Sequence, residues 1–216
     1  MGPGTMVSIA RAGLPWIAMP VAGLILSIAA FIYLDRWWTF IPVVGLAALS
    51  GFFTIFFRDP DRMAGDGILC PADGKVSRIW KDGDHVVVAI FMNVHNVHVN
   101  RVPLDGKVTS VEHIDGGYLP AYRKDSDRNE RFITTMNTRL GKVKVVQIAG
   151  VLVRRIRPYI RKDQLLVCNQ KLGIVCFGSR VDTYLPVDKV ELKVKVGDRT
   201  LAGVTTLATE RSMSPG

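Results

Sequence analysis

Histidine is scarce in this chain, with four residues, and cysteine scarcer still, with three. Cys70, Cys168 and Cys176 form no Cys-x-x-Cys pair and show no metal-ligand spacing. An odd count without such pairs argues against a disulfide framework or a structural zinc site and fits a reducing compartment. Charge is almost missing from residues 1–57, which hold Arg11, Asp35 and Arg36. Beyond residue 57 there is no strong amphipathic helix, and no basic helix or aromatic–basic platform of the kind that reads nucleic acid. The formal net charge of +9 therefore points to a phosphate-bearing substrate or an acidic membrane face.

What the first part does contain is two uncharged runs, Leu14–Leu34 and Trp37–Phe57. As a helix, each is long enough to cross a hydrocarbon core of about 30 Å. Asp35-Arg36 between them allows only a tight hairpin, with Trp37 and Trp38 suited to the interface. One arginine in that turn against Arg11, Arg58 and Arg62 on the flanks favours both ends in the cytoplasm. A cleaved signal peptide or a re-entrant pair are the alternatives, although the first run is long for a signal's apolar region. The organisation expected is a membrane-embedded helical hairpin over 1–57 and one domain over 58–216.

In the second part the pattern is β. Val86–Met92 and Val143–Val153 are apolar runs of strand length, and Glu191–Val196 alternates with period two. Pro71-Ala72-Asp73-Gly74-Lys75-Val76 is echoed by Pro103-Leu104-Asp105-Gly106-Lys107-Val108, as two similar turns leading into strands would be. Val196-Gly197-Asp198 through Gly203 reads like a turn-and-strand unit of a small barrel-sandwich domain. Residues 118–131 lack apolar periodicity and read as a loop. The fold class expected is mainly β: an antiparallel, barrel-sandwich-like domain after the hairpin.

Three features carry possible chemistry. Lys171–Phe177 is a buried-strand pattern that ends in Gly178-Ser179 and then charge. Glycine leaves its carbonyl open to approach, so the Ser179 hydroxyl could attack it and exchange the amide for an ester. Loss of the Ser179 Cα proton would then eliminate the ester, split the chain and leave a pyruvoyl group; the plainer reading is a turn closing a strand. In the stretch 91–103, strand alternation puts Asn96, His98 and Asn100 on one face, either a proton-transfer site or a hydrogen-bonded sheet surface. Asp73 is first a turn residue and second a carboxylate partner.

Together the motifs are more specific than any one of them. In chain order they are Phe56-Phe57-Arg58-Asp59-Pro60, Pro71-Ala72-Asp73-Gly74, Asn96-Val97-His98-Val99-Asn100-Arg101-Val102-Pro103 and Asn129-Glu130-Arg131. Ile148-Ala149-Gly150 with Arg154-Arg155-Ile156, and Phe177-Gly178-Ser179-Arg180-Val181-Asp182 with Tyr184-Leu185-Pro186, complete the series. This order resembles the phosphatidylserine decarboxylases of the short bacterial type, from about Phe56 to Pro186. The resemblance implies a proenzyme that cuts itself between Gly178 and Ser179 into a large and a small chain. It also implies a covalent pyruvoyl (pyruvate) group made from Ser179, and no metal.

The implied reaction turns phosphatidylserine into phosphatidylethanolamine and carbon dioxide, through a Schiff base between the lipid amine and the pyruvoyl ketone. His98 is then the proton donor, and Asp73 orients a base or assists maturation. Arg154 and Arg155, with Arg157 and Arg161, are candidates for the anionic head group or leaflet; the alternative is a solvated basic face. Longer relatives carry His-x-x-His-x-Pro, where this chain has His98 and then Arg101, and arginine cannot serve as a base at ordinary pH. Expected partners are the lipid, an anionic membrane surface and a second copy in a homo-oligomer. The catalytic domain is expected on the cytoplasmic side of the cell membrane. The competing reading is a membrane-tethered β module that binds without catalysis.

Overall fold

The computed structural model describes residues 6–117, 129–150, 156–176 and 179–211. The chain divides into two compact units, Met1–Asp61 and Arg62–Gly216. In the first, the apolar runs form α1 (Leu14–Leu34) and α2 (Phe40–Phe56). Asp35 ends α1 in the left-handed conformation, φ 47°, with its N–H donating to Phe31 O at 3.2 Å. A 3-10 turn over Trp37–Thr39 then leads into α2. Trp16 meets Phe53 and Phe31 meets Phe40, with ring centroids 5.7 and 5.8 Å apart. Both helices are apolar all round, which suits helices whose solvent is lipid, and both are long enough to cross a membrane. Residues before the hairpin are more ordered than a bare leader: β1 (Val7–Ile9) pairs antiparallel with β2 (Arg58–Pro60), which carries this unit on to Asp61.

The second unit is mainly β. Its strands are β3 (Ile68–Leu69), β4 (Gly74–Asp82), β5 (His85–Met92), β6 (Val99–Arg101), β7 (Gly106–Ile114), β8 (Arg131–Thr138) and β9 (Gly141–Ile148). They continue with β10 (Ile156–Pro158), β11 (Leu165–Leu166), β12 (Lys171–Val175), β13 (Ser179–Pro186), β14 (Val190–Leu192), β15 (Arg199–Thr200) and β16 (Thr206–Glu210). An eight-stranded antiparallel sheet runs β11-β7-β8-β9-β13-β5-β4-β15, and two three-stranded sheets run β10-β12-β6 and β14-β16-β3. Alternate residues, Val86, Val88, Ile90 and Met92 on β5 and Val181 and Leu185 on β13, point into the shared core.

That order is nearly a palindrome, and the echoed Pro-x-Asp-Gly turns are the reason. Each turn leads into a nine-residue strand, β4 or β7, with a register shift at the matching place, Val76/Arg78 and Val108/Ser110. The halves also clasp each other reciprocally: Leu69 N–H donates to Pro103 O and Arg101 N–H to Pro71 O, both at 2.8 Å. Asp73 accepts from Ala202 N–H at 2.8 Å, and Asp105 from Cys168 N–H at 2.6 Å. The two halves of the large sheet thus match each other, about an approximate two-fold, in turn, strand length and register shift.

Two strand expectations are shortened. Glu191–Val196 is strand only to Leu192, because Gly197 turns the chain at φ 102° and Asp198 Oδ2 takes Lys195 N–H at 2.9 Å. The Val143–Val153 run leaves the sheet after Ile148, where Ala149 N–H turns to Glu130 O at 2.9 Å.

Candidate active site

Ser179 is the first residue of β13, and β13 is a central strand with β5 on one side and β9 on the other. Ser179 is fully buried, pairs in register with Met92, and donates its hydroxyl to Met92 Sδ at 3.9 Å. A thioether is a weak acceptor, so this contact places the hydroxyl without stabilising it strongly. The same sulfur takes Asn100 Nδ2–H at 3.4 Å, and Asn100 Oδ1 takes Gln147 Nε2–H at 2.7 Å. Reversing either amide would set like atoms against each other, so the chain of donors fixes both orientations. Met92, Asn100, Gln147 and Ser179 are all closed to solvent.

His98 is also fully buried, just before β6. Its Nδ1 lies 2.9 Å from Asn96 O, and a carbonyl can only accept, so Nδ1 carries the proton and Nε2 is the basic nitrogen of the neutral ring. Val175 N–H donates to His98 O at 3.3 Å, tying this segment to the end of β12, which leads in sequence to Ser179. The polar face expected over 96–100 is therefore not a sheet surface: residues 97–102 are buried.

Asp73 is buried elsewhere in the polar network. It forms a two-pronged pair with Arg62, with Arg62 Nη2 donating to Oδ2 at 2.8 Å, and also holds Ala202 N–H. Arg101, at the second histidine position, donates to Asn169 O at 3.1 Å, and Asn169 Nδ2 donates back to Arg62 O at 2.8 Å. Arg101 and Asp73 are thus structural partners of the turns around β4, and the hydrogen bonds of Asp73 run to Arg62 and Ala202 rather than to Ser179 or His98.

Other motifs resolve into supports. Asn129 Nδ2 donates to Ala149 O at 2.9 Å, and Glu130 Oε1 lies 2.9 Å from His113 Nε2. Arg180 and Asp182 form a buried two-pronged pair at 2.8 Å for each contact. Arg157 and Arg161 are exposed, while Gly178, Arg154 and Arg155 lie outside the described residues. Burial pushes the Cys70 thiol up to about 12 and raises Cys168 as well. All three cysteines are free thiols, and among the described residues no cluster of His, Cys, Asp or Glu could hold a metal. Sequence reasoning missed Met92 and Gln147. The available signal for Gln147 was a single amide inside an otherwise apolar strand.

A buried serine opening a central strand, with a thioether and two amides linked beside it, can be compared with known proteins. The profile of the family described as phosphatidylserine decarboxylase matches residues 49–208. The chain belongs to the phosphatidylserine decarboxylase family. A phosphatidylserine decarboxylase proenzyme of Streptomyces griseus is 47% identical over 204 residues, 93% of each chain. One from Thermobifida fusca is 45% identical over 212 residues, 95% of each chain. A protein of Methanococcoides burtonii, provisionally named an archaetidylserine decarboxylase proenzyme, is 44% identical over 210 residues, 94% of this chain and 97% of the relative. Family membership favours the enzyme over the non-catalytic tether.

Proposed function

We propose that this protein is a self-cleaving decarboxylase of serine phospholipids, producing the ethanolamine phospholipid and carbon dioxide. The observation that carries the reading is Ser179, buried at the head of β13 after Gly178, within the span that the family profile matches. Maturation begins when Ser179 Oγ attacks the Gly178 carbonyl carbon; the C–N bond breaks, and an ester and a free amine form. Removal of the Ser179 Cα proton expels the ester oxygen as the new carboxylate end of Gly178. Water then replaces the nitrogen of residue 179, which leaves as ammonia.

The site fits the resulting pyruvoyl group, because Ser179 is shielded from water and, among the described residues, its hydroxyl donates only to a weak sulfur acceptor. That group would supply a ketone to capture the substrate amine and draw off the electrons released with carbon dioxide. His98 Nε2, left basic because Asn96 O holds the proton on Nδ1, takes the proton that the substrate ammonium gives up and returns it to the substrate carbon. Gln147 and Asn100 hold the wall beside Met92 in place. Asp73 assists maturation indirectly, by fixing with Arg62 the entry to β4, which pairs with β5 and so supports Met92. Arg154 and Arg155 add positive charge toward the anionic lipid. The arginines around the hairpin favour a cytoplasmic catalytic domain.

The test is release of labelled carbon dioxide from carboxyl-labelled phosphatidylserine. Wild-type protein should release it and Ser179→Ala should not; equal release by both would end the reading.

A further inference from the structure

The approximate two-fold exposes one departure from symmetry. β4 and β7 both begin Gly-Lys-Val, and each is edged by a short strand at an equivalent register: Arg199 opposite Lys75, and Leu165 opposite Lys107. In the second half the lysine has a counter-charge, since Lys107 faces a leucine and has Asp163 Oδ1 3.9 Å away. Nearby Arg139 is ion-paired with Glu210. In the first half, Gly197 takes the place of Asp163, both at positive φ, and the lysine faces an arginine. Like charges directly opposite on neighbouring strands are destabilising. Neither Lys75 nor Arg199 has a hydrogen-bond or ion-pair partner among the described residues.

Both cations line a pocket of about 710 Å³ with Asn93, His95 and Asn96, and among the described residues its wall contains no aspartate or glutamate. The turn carrying the two asparagines is fixed from within: Asn93 Oδ1 takes Val94 N–H at 2.7 Å and Asn96 Oδ1 takes Asn93 N–H at 2.8 Å. Their carbonyl ends are spent on backbone, which leaves the NH₂ ends as donors. Gly74 completes the wall at φ 150°, where a Cβ would lie 2.1 Å from Phe91 O. The pocket adjoins the strand end that carries the reacting residue, because Lys75 pairs with Phe91 and the following residue, Met92, pairs with Ser179; Phe91 and Met92 face opposite sides of β5, so the cations approach that end from the face away from Met92 Sδ.

Two cations without counter-charge, two amide donors and no acid are chemistry for a phosphate oxyanion. We infer that this pocket binds the phosphate of the serine phospholipid, with Lys75 and Arg199 supplying charge and Asn93 and Asn96 neutral donors. The inference rests on the reading of Ser179 and its lipid substrate given above.

The experiment uses the full chain in detergent, with short-chain phosphatidylserine presented as monomers. The Lys75→Ala/Arg199→Ala double variant should split normally, show a KM raised by at least about tenfold, and keep kcat within a small factor of wild type. Lys75→Arg alone should keep the wild-type KM. Glycerophosphoethanolamine should compete against the wild type and lose that effect in the double variant. If inorganic phosphate competes equally well, the pocket recognises any phosphate oxyanion; if only the diester competes, it recognises the lipid's own linkage. An unchanged KM on monomers, or a defect confined to anionic vesicles, would overturn the inference. Calorimetry with glycerophosphoethanolamine on uncut Ser179→Ala protein separates the two readings, since it needs no turnover. Binding that survives the added double substitution overturns the pocket, whereas a wild type that binds but never decarboxylates overturns the enzyme.

Discussion

Ser179, His98 and Asp73 were each visible in the sequence as chemistry-bearing types, but only packing separates their circumstances. Ser179 rests on a sulfur, His98 has its proton placed by Asn96 O, and Asp73 is locked by Arg62. Strand alternation put His98 and Asn100 on one face, yet it could not show that both are buried or that Gln147 arrives from β9. If His98 acts only as proton donor, His98→Ala should split at the wild-type rate and lose about 10²–10⁴-fold in turnover. A time course of chain splitting beside the lipid assay reads both, and an uncut variant would instead make His98 the maturation base. A second residue-scale prediction concerns pH. The folded chain keeps the Cys70 proton up to about 12, against an ordinary thiol value of 9.0. From pH 9 upward the unfolded chain releases that proton and the folded chain does not, so stability falls by up to about 1.4 kcal/mol per pH unit. Cys70→Ala should flatten this alkaline limb in chemical unfolding measured at several pH values, and an identical slope would show that the thiol is not so shielded.

Among the elements, β13 matters most, because cleavage before Ser179 leaves the small chain led by a strand hydrogen-bonded to both β5 and β9. The small chain also retains β14, β15 and β16, each paired into a sheet: β14 with β16, β15 with β4, β16 with β3. The two chains should therefore co-elute under native conditions after complete splitting and separate only in denaturant. Separation on a native sizing column would contradict the central placement of β13. The repeated Pro-x-Asp-Gly turns were legible as an echo, since turn chemistry is local. Their reciprocal clasp, Leu69 to Pro103 and Arg101 to Pro71, was not, because hydrogen bonds between distant segments leave no periodic trace. The alternation in Glu191–Val196 misled for the same reason, as one glycine turn at Gly197 overrode it.

On the scale of the whole molecule, the apolar hairpin and the β domain were the most legible features, since hydropathy and strand patterning are properties of long stretches. The sequence did not show β1 joining β2, which only the folded chain reveals. Every residue assigned here to maturation lies in Arg62–Gly216, including Arg62 itself. Removing residues 1–61 should therefore yield a domain that still splits, and that loses more activity on vesicles than on monomeric lipid. Equal losses on both would make the hairpin part of the catalytic unit. The account stands most directly on the chemical nature of residue 179 in the purified protein, read by intact mass. It predicts a small chain beginning at position 179 whose mass is that of the serine-led fragment less one ammonia, with no free amine at its end. An intact chain of 216 residues, or a fragment that still begins with an unmodified serine, would contradict it.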